Sequence, residues 1–339
     1  MYMDRKLYFA IVGAGGMGSF YTRILKELPE AEVVAIVDVN ESRAKEVARQ
    51  YGVSEYYSDW RKVLEKSYVD AIAVCTPVRF HKEITVAALE AGKHVICEKP
   101  PAMNATEAEE MAEAAKRNKR ILLYGFQWRF MEASKYVKNL IEKNYLGHVY
   151  RVRVHYLRKS IPLGAGKWFI RREFAGGGVL IDCGVHFIDL AYWLLGRPKP
   201  VEVFGKSYDY LGKQIEGFSV EDTYIGMVLF ENGTTLVIES SWIQNWREEH
   251  GFTLYGTQGS ASIYPSLEVY LNLEGKYSFI KPEVKEVEPT MLKLKHFIEA
   301  IEKGYSEISP RPEDGVVVMK IIDALYESAA RGKSVEISV

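Results

Sequence analysis

The sequence predicts an α/β protein of two domains: a doubly wound parallel sheet, followed by an α+β domain with an open, mainly antiparallel sheet. The chain has 339 residues, more than one ordinary hydrophobic core accommodates. Residues 7–126 alternate apolar strand-like runs with amphipathic helical patterns, which is typical of a parallel sheet covered on both faces. After residue 149 strands follow one another through turns such as Asn232-Gly233, a hairpin signal. We therefore expect domains at 1–127 and 128–339.

The first half contains alternating strand and helix candidates. The strands are Leu7–Val12, Val33–Asp38, Asp70–Cys75, His94–Cys97 and Ile121–Tyr124. The helices are Met17–Leu28, Ser42–Gln50, Trp60–Glu65, His81–Ala91 and Ala105–Lys119. Gly92 follows the fourth helix and Asn104 precedes the fifth, and these residue types favour a helix end and a helix start.

The second half has a different rhythm, beginning after a connecting helix at Met131–Lys143. Its strand-like segments are 149–157, 201–207, 222–230, 234–242, 251–256, 260–264 and 267–273. Its helix candidates are 185–195, 291–303 and 313–331. We expect these helices to cover one face of the sheet and to leave the other face open.

The composition indicates a globular cytoplasmic protein without a polyanionic partner. Apolar residues make up 47% of the chain, charged residues 26%, and the formal net charge is −1. The overall electrostatic field of the protein therefore does not favour binding to nucleic acid or acidic lipid. The apolar run before Gly13 is too short to cross a membrane. Cys75, Cys97 and Cys183 are isolated, which argues against a disulfide framework or a bound metal.

The segment Gly13-Ala14-Gly15-Gly16-Met17-Gly18 predicts a dinucleotide-binding loop, because it follows a strand and opens a helix. The chemistry requires a tight turn at Gly13, close approach of the backbone to a pyrophosphate at Gly15, and close helix–strand contact at Gly18. Backbone N–H groups of the first helical turn, at Gly16 and Met17, would receive the phosphates.

Asp38 ends the second strand, about 20 residues after this loop. A carboxylate there accepts hydrogen bonds from the ribose hydroxyls of an adenosine and repels a 2′-phosphate. We therefore favour NAD over NADP, although Arg43, one turn further on, could face a phosphate.

The segment Gly176-Gly177-Gly178-Val179-Leu180-Ile181-Asp182-Cys183-Gly184-Val185-His186 combines a glycine turn with an acid and a base. Asp182 and His186 are four residues apart, so on a helix they would share one face. Histidine ordinarily titrates near neutral pH, which suits a group that moves protons.

Polar residues also follow the predicted strands Asp70–Cys75 and His94–Cys97, where Thr76, Glu98 and Lys99 stand directly after apolar runs. Ligands of doubly wound sheets bind at the carboxyl ends of the strands. We expect these three residues to face the nicotinamide end of the cofactor.

Taken together, these motifs resemble the Gfo/Idh/MocA family of NAD(P)-dependent oxidoreductases, which includes glucose–fructose oxidoreductases and inositol dehydrogenases. Four signatures stand in order along most of the chain: Gly13-x-Gly15-x-x-Gly18, Thr76-Pro77-x-x-x-His81, Gly92-Lys93-His94-Val95-x-x-Glu98-Lys99-Pro100, and Gly176-Gly177-Gly178-x-Leu180-x-Asp182-x-Gly184-x-His186-x-x-Asp189.

The resemblance implies a Rossmann domain, a cis Lys99–Pro100 bond, and a homodimer or homotetramer formed through the open sheet. It implies a catalytic group of Lys99, Asp182 and His186. It also adds Pro77, His81, Gln127 and Arg129 to the cofactor-binding residues Gly13, Gly15, Gly16, Met17, Gly18, Asp38, Thr76, Glu98 and Lys99.

The activity so implied is hydride transfer between a secondary hydroxyl of a sugar, sugar acid or cyclitol and the nicotinamide. Oxidation of a carbinol requires a base at its oxygen, a role for His186, while the Lys99 ammonium can stabilise alkoxide charge. Asp182 could orient either group or bind a hydroxyl. Arg158 and Trp168, ahead of the glycine run, suit a polyhydroxylated small-molecule substrate. Two alternatives remain: a glycosidase that oxidises transiently with bound NAD, and a non-catalytic sensor of the dinucleotide.

Overall fold

The computed structural model describes residues 6–161, 167–304 and 308–338, and the chain divides into two compact units. The first unit comprises Met1–Gln127 with Glu288–Val316, and the second comprises Trp128–Val287 with Val317–Val339. The first boundary lies where the sequence places it. The expected unbroken second domain differs from this division, because residues 288–316 group with the first unit.

The first unit is a Rossmann-type sheet whose six strands are all parallel, in the order β3-β2-β1-β4-β5-β6. The strands are β1 (Leu7–Val12), β2 (Ala31–Val37), β3 (Glu55–Tyr57), β4 (Ala71–Val74), β5 (His94–Cys97) and β6 (Leu122–Tyr124). The helices are α1 (Gly16–Glu27), α2 (Glu41–Tyr51), α3 (Arg61–Leu64), α4 (His81–Glu90) and α5 (Ala105–Asn118). The strand order reverses between β1 and β4, and such switch points form ligand crevices.

Helix α9 (Pro289–Lys303) returns from the C-terminal part of the chain to this unit. Its Phe297 ring lies 6.1 Å from the ring of Phe9 on β1, and Leu294 and Ile298 join the same buried cluster. The expectation that this helix covers the antiparallel sheet is wrong. Its apolar periodicity shows that one side is buried, but it does not specify which sheet that side packs on.

The second unit is built on a nine-stranded sheet in the order β14-β13-β12-β11-β7-β10-β9-β8-β15. Its strands are β7 (Val149–Leu157), β8 (Pro200–Tyr208), β9 (Thr223–Phe230), β10 (Thr235–Ser241), β11 (Glu249–Gly256), β12 (Gly259–Tyr264), β13 (Glu268–Leu273), β14 (Lys276–Ile280) and β15 (Val335–Glu336). Each neighbouring pair is antiparallel except β7 and β10. The predicted mainly antiparallel sheet is confirmed.

Helices cover one face of this sheet. They are α6 (Glu132–Glu142), the short α7 (Arg172–Ala175), α8 (Val185–Leu194) and α10 (Pro312–Arg331), which starts before the boundary at Val317. Tyr224 on β9 donates its hydroxyl proton to the Leu325 carbonyl at 2.6 Å, and Phe187 on α8 lies 5.7 Å, ring to ring, from Tyr156 on β7.

The opposite face of the sheet is exposed. Phe204 on β8 pairs with Met227 on β9, and the side chain of neighbouring Ile225 points the same way. These apolar side chains are 40–44% exposed in the described chain. The alternation of buried and exposed residues follows from the two-residue period of a strand.

The helical segment Arg172–Leu194 is apolar and long enough, by length and composition, to cross a membrane. Within it, 78% of the most apolar window is buried inside the protein, as expected of a core helix. Asn104 caps α5 by accepting a hydrogen bond from the Glu107 amide, as predicted, and Gly92 follows α4 with φ +78°. Three short strands, β3, β14 and β15, were not predicted because strands of only two to five residues are too short to establish a period.

Candidate active site

The glycine loop between β1 and α1 lies at the switch point of the Rossmann sheet. Gly13 has φ +100°, and a Cβ there would stand 2.6 Å from the Cys75 carbonyl oxygen. A Cβ on Gly18 would stand 1.8 Å from the carbonyl oxygen of Gly13, so that helix and strand could not approach. A Cβ on Gly15 or Gly16 would meet no other atom of the described chain within 4 Å, so the outer side of the loop can admit a ligand.

Helix α1 begins at Gly16 without a side-chain cap and without an acidic residue in its first turn, which also contains Met17. Uncapped N–H groups and the positive end of the helix dipole suit a phosphate. The Asp38 carboxylate is preorganised beside the loop, because it accepts hydrogen bonds from the amides of Ala14 and Asn40, both at 2.9 Å.

Two polar atoms near the carboxyl edge of the Rossmann sheet are buried and have no hydrogen-bond partner among the described residues. They are the Thr76 hydroxyl, after β4, and the Gln127 side-chain oxygen, after β6. A buried polar group without a partner is costly, so such atoms indicate a ligand that completes them. With the open glycine loop and Asp38, these residues fit NAD: phosphates at Gly15 and Gly16, ribose hydroxyls at Asp38, and the nicotinamide end at Thr76 and Gln127.

His81, for which the resemblance implies a contact with the cofactor, also contacts two loops of its own unit. Its ring is buried, with Nδ1 2.9 Å from the Pro100 carbonyl oxygen and Nε2 2.9 Å from the Thr76 carbonyl oxygen. Burial lowers its pKa, which favours the neutral imidazole. His81 therefore lies between the loop after β4, which contains Pro77, and the loop after β5, and as a neutral imidazole it donates one hydrogen bond to one of the two carbonyl groups.

Glu98 and Lys99 follow β5, and the Lys99–Pro100 bond is cis, as the family resemblance implies. The Glu98 carboxylate turns into the unit, where it accepts hydrogen bonds from the Tyr21 hydroxyl at 2.5 Å and the Lys293 ammonium at 3.2 Å. Its side chain is therefore engaged within the protein. Lys99 is half-buried and remains at the carboxyl edge of the sheet.

Arg129, for which the resemblance implies a contact with the cofactor, is paired with a carboxylate of the second unit. Its guanidinium is buried in the second unit and forms a two-pronged ion pair with Asp189 on α8, at 2.8 Å and 2.5 Å. A planar guanidinium suits this bidentate geometry. The pair joins α8 to the chain that precedes α6.

The glycine run before Asp182 packs against Glu221 and Tyr326. A Cβ on Gly178 would stand 1.9 Å from the Glu221 carbonyl oxygen, and one on Gly177 would stand 2.0 Å from the Tyr326 hydroxyl. The buried Glu221 carboxylate accepts hydrogen bonds from the Gly178 amide at 2.9 Å and the Leu180 amide at 3.1 Å. This interaction anchors the turn that leads to Asp182.

Asp182 lies in a π-helical turn, Leu180–Gly184, that precedes α8. The π-helical turn continues directly into α8, which begins at Val185, so the expected helix is present but the spacing between Asp182 and His186 is not regular α-helical spacing. Turns of this kind recur at functional sites. The fully buried Trp242 donates its indole N–H to the Asp182 carboxylate at 3.1 Å, and Cys183 lies 3.4 Å from the same oxygen.

His186 lies in the first turn of α8 and is 9% exposed. Its ring stacks on Trp128, with 5.8 Å between centroids and an interplanar angle of 13°. Trp128 also packs edge-on against Phe187 at 5.0 Å and lies 6.2 Å from Tyr264. The stack restricts the orientation of the imidazole ring. A base needs such a fixed orientation to accept the proton of one particular hydroxyl.

Arg158 and Trp168, two of the expected substrate residues, also belong to the second unit. Arg158 follows β7 and donates its amide to the Ser241 carbonyl at 2.9 Å. Trp168 is half-buried in the short turn Lys167–Ile170 and packs edge-on against Phe169 at 6.2 Å. Phe169 in turn packs against Trp242 at 5.7 Å, so one aromatic series runs from Trp168 to the indole that holds Asp182.

Several residues that shape these groups carried no decisive signal in the sequence. Trp128 stands between Gln127 and Arg129 without a role that its neighbours would indicate. Glu221, Tyr326, Tyr21 and Lys293 belong to no motif and lie far along the chain from the groups that they contact. Only the fold brings such pairs together.

Comparisons with known proteins agree with this geometry. A model described as an oxidoreductase family with an NAD-binding Rossmann fold matches residues 7–126, and the GFO/IDH/MocA C-terminal domain model matches residues 134–262. The D-glucoside 3-dehydrogenase of Escherichia coli K12 is 32% identical over 98% of this chain and 97% of that protein. The scyllo-inositol 2-dehydrogenase (NAD(+)) of Bacillus subtilis 168 is 26% identical over 99% and 98%.

Among solved structures, a levoglucosan dehydrogenase in complex with NADH matches with a TM-score of 0.89 at 27% identity, covering 98% of this chain and all of that one (100%). These matches confirm the family resemblance and the two-part fold.

Proposed function

The chain belongs to the Gfo/Idh/MocA family of NAD-binding oxidoreductases, and we propose that it oxidises a secondary hydroxyl of a sugar, sugar acid or cyclitol with NAD. The observation that carries the proposal is the anchored turn that holds Asp182 against Trp242 and leads into His186. A carboxylate and an imidazole, each fixed by an aromatic neighbour, provide the acid–base groups that alcohol oxidation needs.

In this proposal His186 accepts the proton of the reacting hydroxyl. A neutral imidazole can do so at physiological pH. Asp182 orients the substrate by accepting a hydrogen bond from a hydroxyl, and the ammonium of Lys99 stabilises the negative charge on the oxygen as the proton leaves. When bound, NAD supplies the acceptor for the two electrons of the oxidation.

Several residues hold the cofactor in this proposal: Gly15 and Gly16 face its phosphates, Asp38 its adenosine ribose, and Thr76 and Gln127 its nicotinamide end. The Asp38 carboxylate supports NAD over NADP, because a 2′-phosphate would meet its negative charge. Arg129 is outside this set, since its guanidinium is engaged with Asp189.

The substrate is a polyhydroxylated small molecule. Relatives named for a glucoside, an inositol and levoglucosan all act on compounds with several secondary hydroxyls. Trp168 suits the apolar face of a sugar ring, and Arg158 suits a ring hydroxyl or a carboxylate. We also propose a cytoplasmic location, which the three reduced cysteines support.

We further propose that the protein forms a homodimer or homotetramer through the exposed face of its antiparallel sheet. Phe204, Ile225 and Met227 form an apolar patch on adjacent strands of that face. Exposed patches of this kind are typical of interfaces between subunits.

The test is to incubate the purified protein with NAD and a panel of aldoses, glycosides, inositols and sugar acids, and to follow NADH by absorbance. We expect NADH to form with at least one member and the product to be a keto sugar or lactone by mass spectrometry. Lys99→Ala and His186→Ala are prepared in parallel by the same procedure. Loss of NADH formation in these variants excludes a contaminating dehydrogenase.

Two other outcomes would overturn the proposal. Release of an aglycone from a glycoside, without net NADH, would identify a glycosidase that oxidises transiently. Binding of NAD without turnover of any member of the panel, in a correctly folded preparation, would favour a sensor of the dinucleotide.

A further inference from the structure

A buried cluster of three polar side chains lies inside the Rossmann unit, beneath the loop that carries Lys99. The Lys293 ammonium on α9 donates to the Tyr21 hydroxyl at 2.6 Å and to Glu98 Oε1 at 3.2 Å. The Tyr21 hydroxyl donates to the same carboxylate oxygen at 2.5 Å. Tyr21 and Lys293 are fully buried, and Glu98 is 6% exposed.

The cluster connects directly to Lys99. The second Glu98 oxygen, Oε2, accepts the Lys99 backbone N–H at 3.1 Å. Gly125, after β6, makes room for the carboxylate, because a Cβ there would stand 2.8 Å from both of its oxygens. One carboxylate therefore joins α1, α9 and the loop after β5.

The charges in the cluster complement one another. Burial by itself would raise the pKa of Glu98, but the charge of Lys293, the Tyr21 hydrogen bond and the charge of Lys99 outweigh it and lower this pKa. Glu98 is thus an anion between two cations. Burial raises the pKa of Tyr21, which keeps its hydroxyl proton available to the carboxylate.

Stability alone does not explain such a cluster. Replacing a buried ion pair with apolar residues of similar size is often neutral or stabilising, because desolvation offsets the attraction. Apolar side chains are the neighbours of Lys293 on α9, where Leu294, Phe297 and Ile298 are all buried. A methionine-like residue would have suited this core. The cost of burying a lysine here calls for a role connected with Glu98.

We propose that Lys293 and Tyr21 are positioning residues for Lys99. They fix the Glu98 carboxylate, and its second oxygen in turn fixes the Lys99 amide, which sets the backbone from which the lysine side chain reaches the substrate. The inference deepens the proposed function and depends on it for the role of Lys99. It also makes α9, far along the chain, part of the machinery of the first unit.

The test compares Lys293→Met and Tyr21→Phe with a matched control, Lys93→Met. Lys93 is another buried lysine of the same unit, and its ammonium donates to the Lys66 and Val69 carbonyls at 2.7 Å and 2.9 Å. Removing it also deletes a buried cation, but at a place that does not contact Glu98. The three variants are compared in thermal stability, kcat, KM and amide exchange.

The decisive readout is hydrogen–deuterium exchange at the Lys99 amide, which needs no activity. Pro100 and Pro101 have no amide hydrogen, so the Lys99 amide can be read from a short peptide spanning them. We expect its exchange in the NAD-bound protein to accelerate about tenfold or more in Lys293→Met and Tyr21→Phe, since each loosens the acceptor. In Lys93→Met it should match the wild type.

The kinetic expectation is that kcat falls about tenfold in Lys293→Met and about threefold in Tyr21→Phe, with KM for the sugar nearly unchanged. The inference would be overturned if the three variants lost similar thermal stability and also had the same exchange rate at the Lys99 amide and the same kcat. If Lys293→Met does not fold, the comparison of Tyr21→Phe with Lys93→Met tests the inference. Tyr21→Phe removes only the hydroxyl oxygen and so disturbs the core less. Faster Lys99 exchange in a protein that oxidises no sugar would retain the positioning role and reject the proposed function.

Discussion

The indole N–H of Trp242 donates a hydrogen bond of 3.1 Å to the Asp182 carboxylate, and the two residues are 60 positions apart in the chain. Trp242 follows β10, whereas Asp182 lies in the π-helical turn before α8. The carboxylate is therefore oriented by the sheet as well as by its own turn. A hydrogen bond to a charged group contributes about 1.5–3 kcal/mol.

Trp242→Phe should lower kcat about tenfold, because it removes this donor and lets the Asp182 carboxylate rotate. Affinity for NAD should change less than about twofold, since Trp242 does not belong to the cofactor residues. Steady-state kinetics and a fluorescence titration with NAD measure the two effects.

Substitution of a large buried residue also leaves a cavity, so Phe169→Leu is the control. Phe169 packs edge-on against Trp242 at 5.7 Å, and its substitution disturbs the same core without removing the hydrogen bond. An equal loss of kcat in both variants would assign the effect to packing.

His186→Phe should abolish most of the turnover, by about 10²–10⁴-fold, because the ring keeps its stacking on Trp128 but has no nitrogen to accept a proton. NAD affinity should stay within about twofold of the wild type. His250→Phe is the matched control, since His250 is also held by an aromatic ring, at 4.4 Å from Tyr156. If the affinity for NAD fell by the same factor as kcat, His186 would have a structural role only.

Two alanine substitutions in the glycine loop should separate folding from cofactor binding. Gly18→Ala places a Cβ 1.8 Å from the Gly13 carbonyl oxygen, a backbone clash, and should lower the melting temperature by several degrees or prevent folding. Gly15 has φ −74° and open space at its Cβ, so Gly15→Ala should melt within about 2 °C of the wild type.

Gly15→Ala should nevertheless weaken NAD binding about tenfold or more, because the methyl group occupies the side of the loop that the pyrophosphate approaches. Calorimetric titration with NAD measures this loss. Unchanged affinity in a folded Gly15→Ala protein would show that the phosphates bind elsewhere.

The double variant Phe204→Glu with Met227→Glu should dissociate the proposed oligomer. The two residues are direct neighbours across β8 and β9, so their carboxylates would place like charges in the centre of an apolar interface. Light scattering after size-exclusion chromatography should give the mass of one chain. Tyr145→Glu, at an exposed aromatic that follows α6, should keep the mass of the wild type; if the double variant kept it as well, this face would not be the interface.

The strand and helix pattern was readable from the sequence because local burial leaves a period in the chain. The bounds of β1, β5 and β7 agree with those predicted, and α8 differs by one residue at its end. The glycine loop was readable for a different reason, since positive φ at Gly13 and the contact at Gly18 can be met by glycine alone. The family resemblance added the Asp182 and His186 motif, which spacing by itself left ambiguous.

The partners of the polar groups were decided only by the tertiary structure. The family resemblance implied the same cofactor role for Gln127 and Arg129, yet Gln127 has a buried oxygen suited to a ligand whereas Arg129 is paired with Asp189. Helix α9 has an ordinary amphipathic pattern, and packing against β1 rather than the antiparallel sheet brings Lys293 to Glu98. The period of apolar residues in a helix or strand shows which of its sides is buried, because the period is a property of that segment alone. It does not show which element packs on that side, because the packing partner is determined by the whole fold.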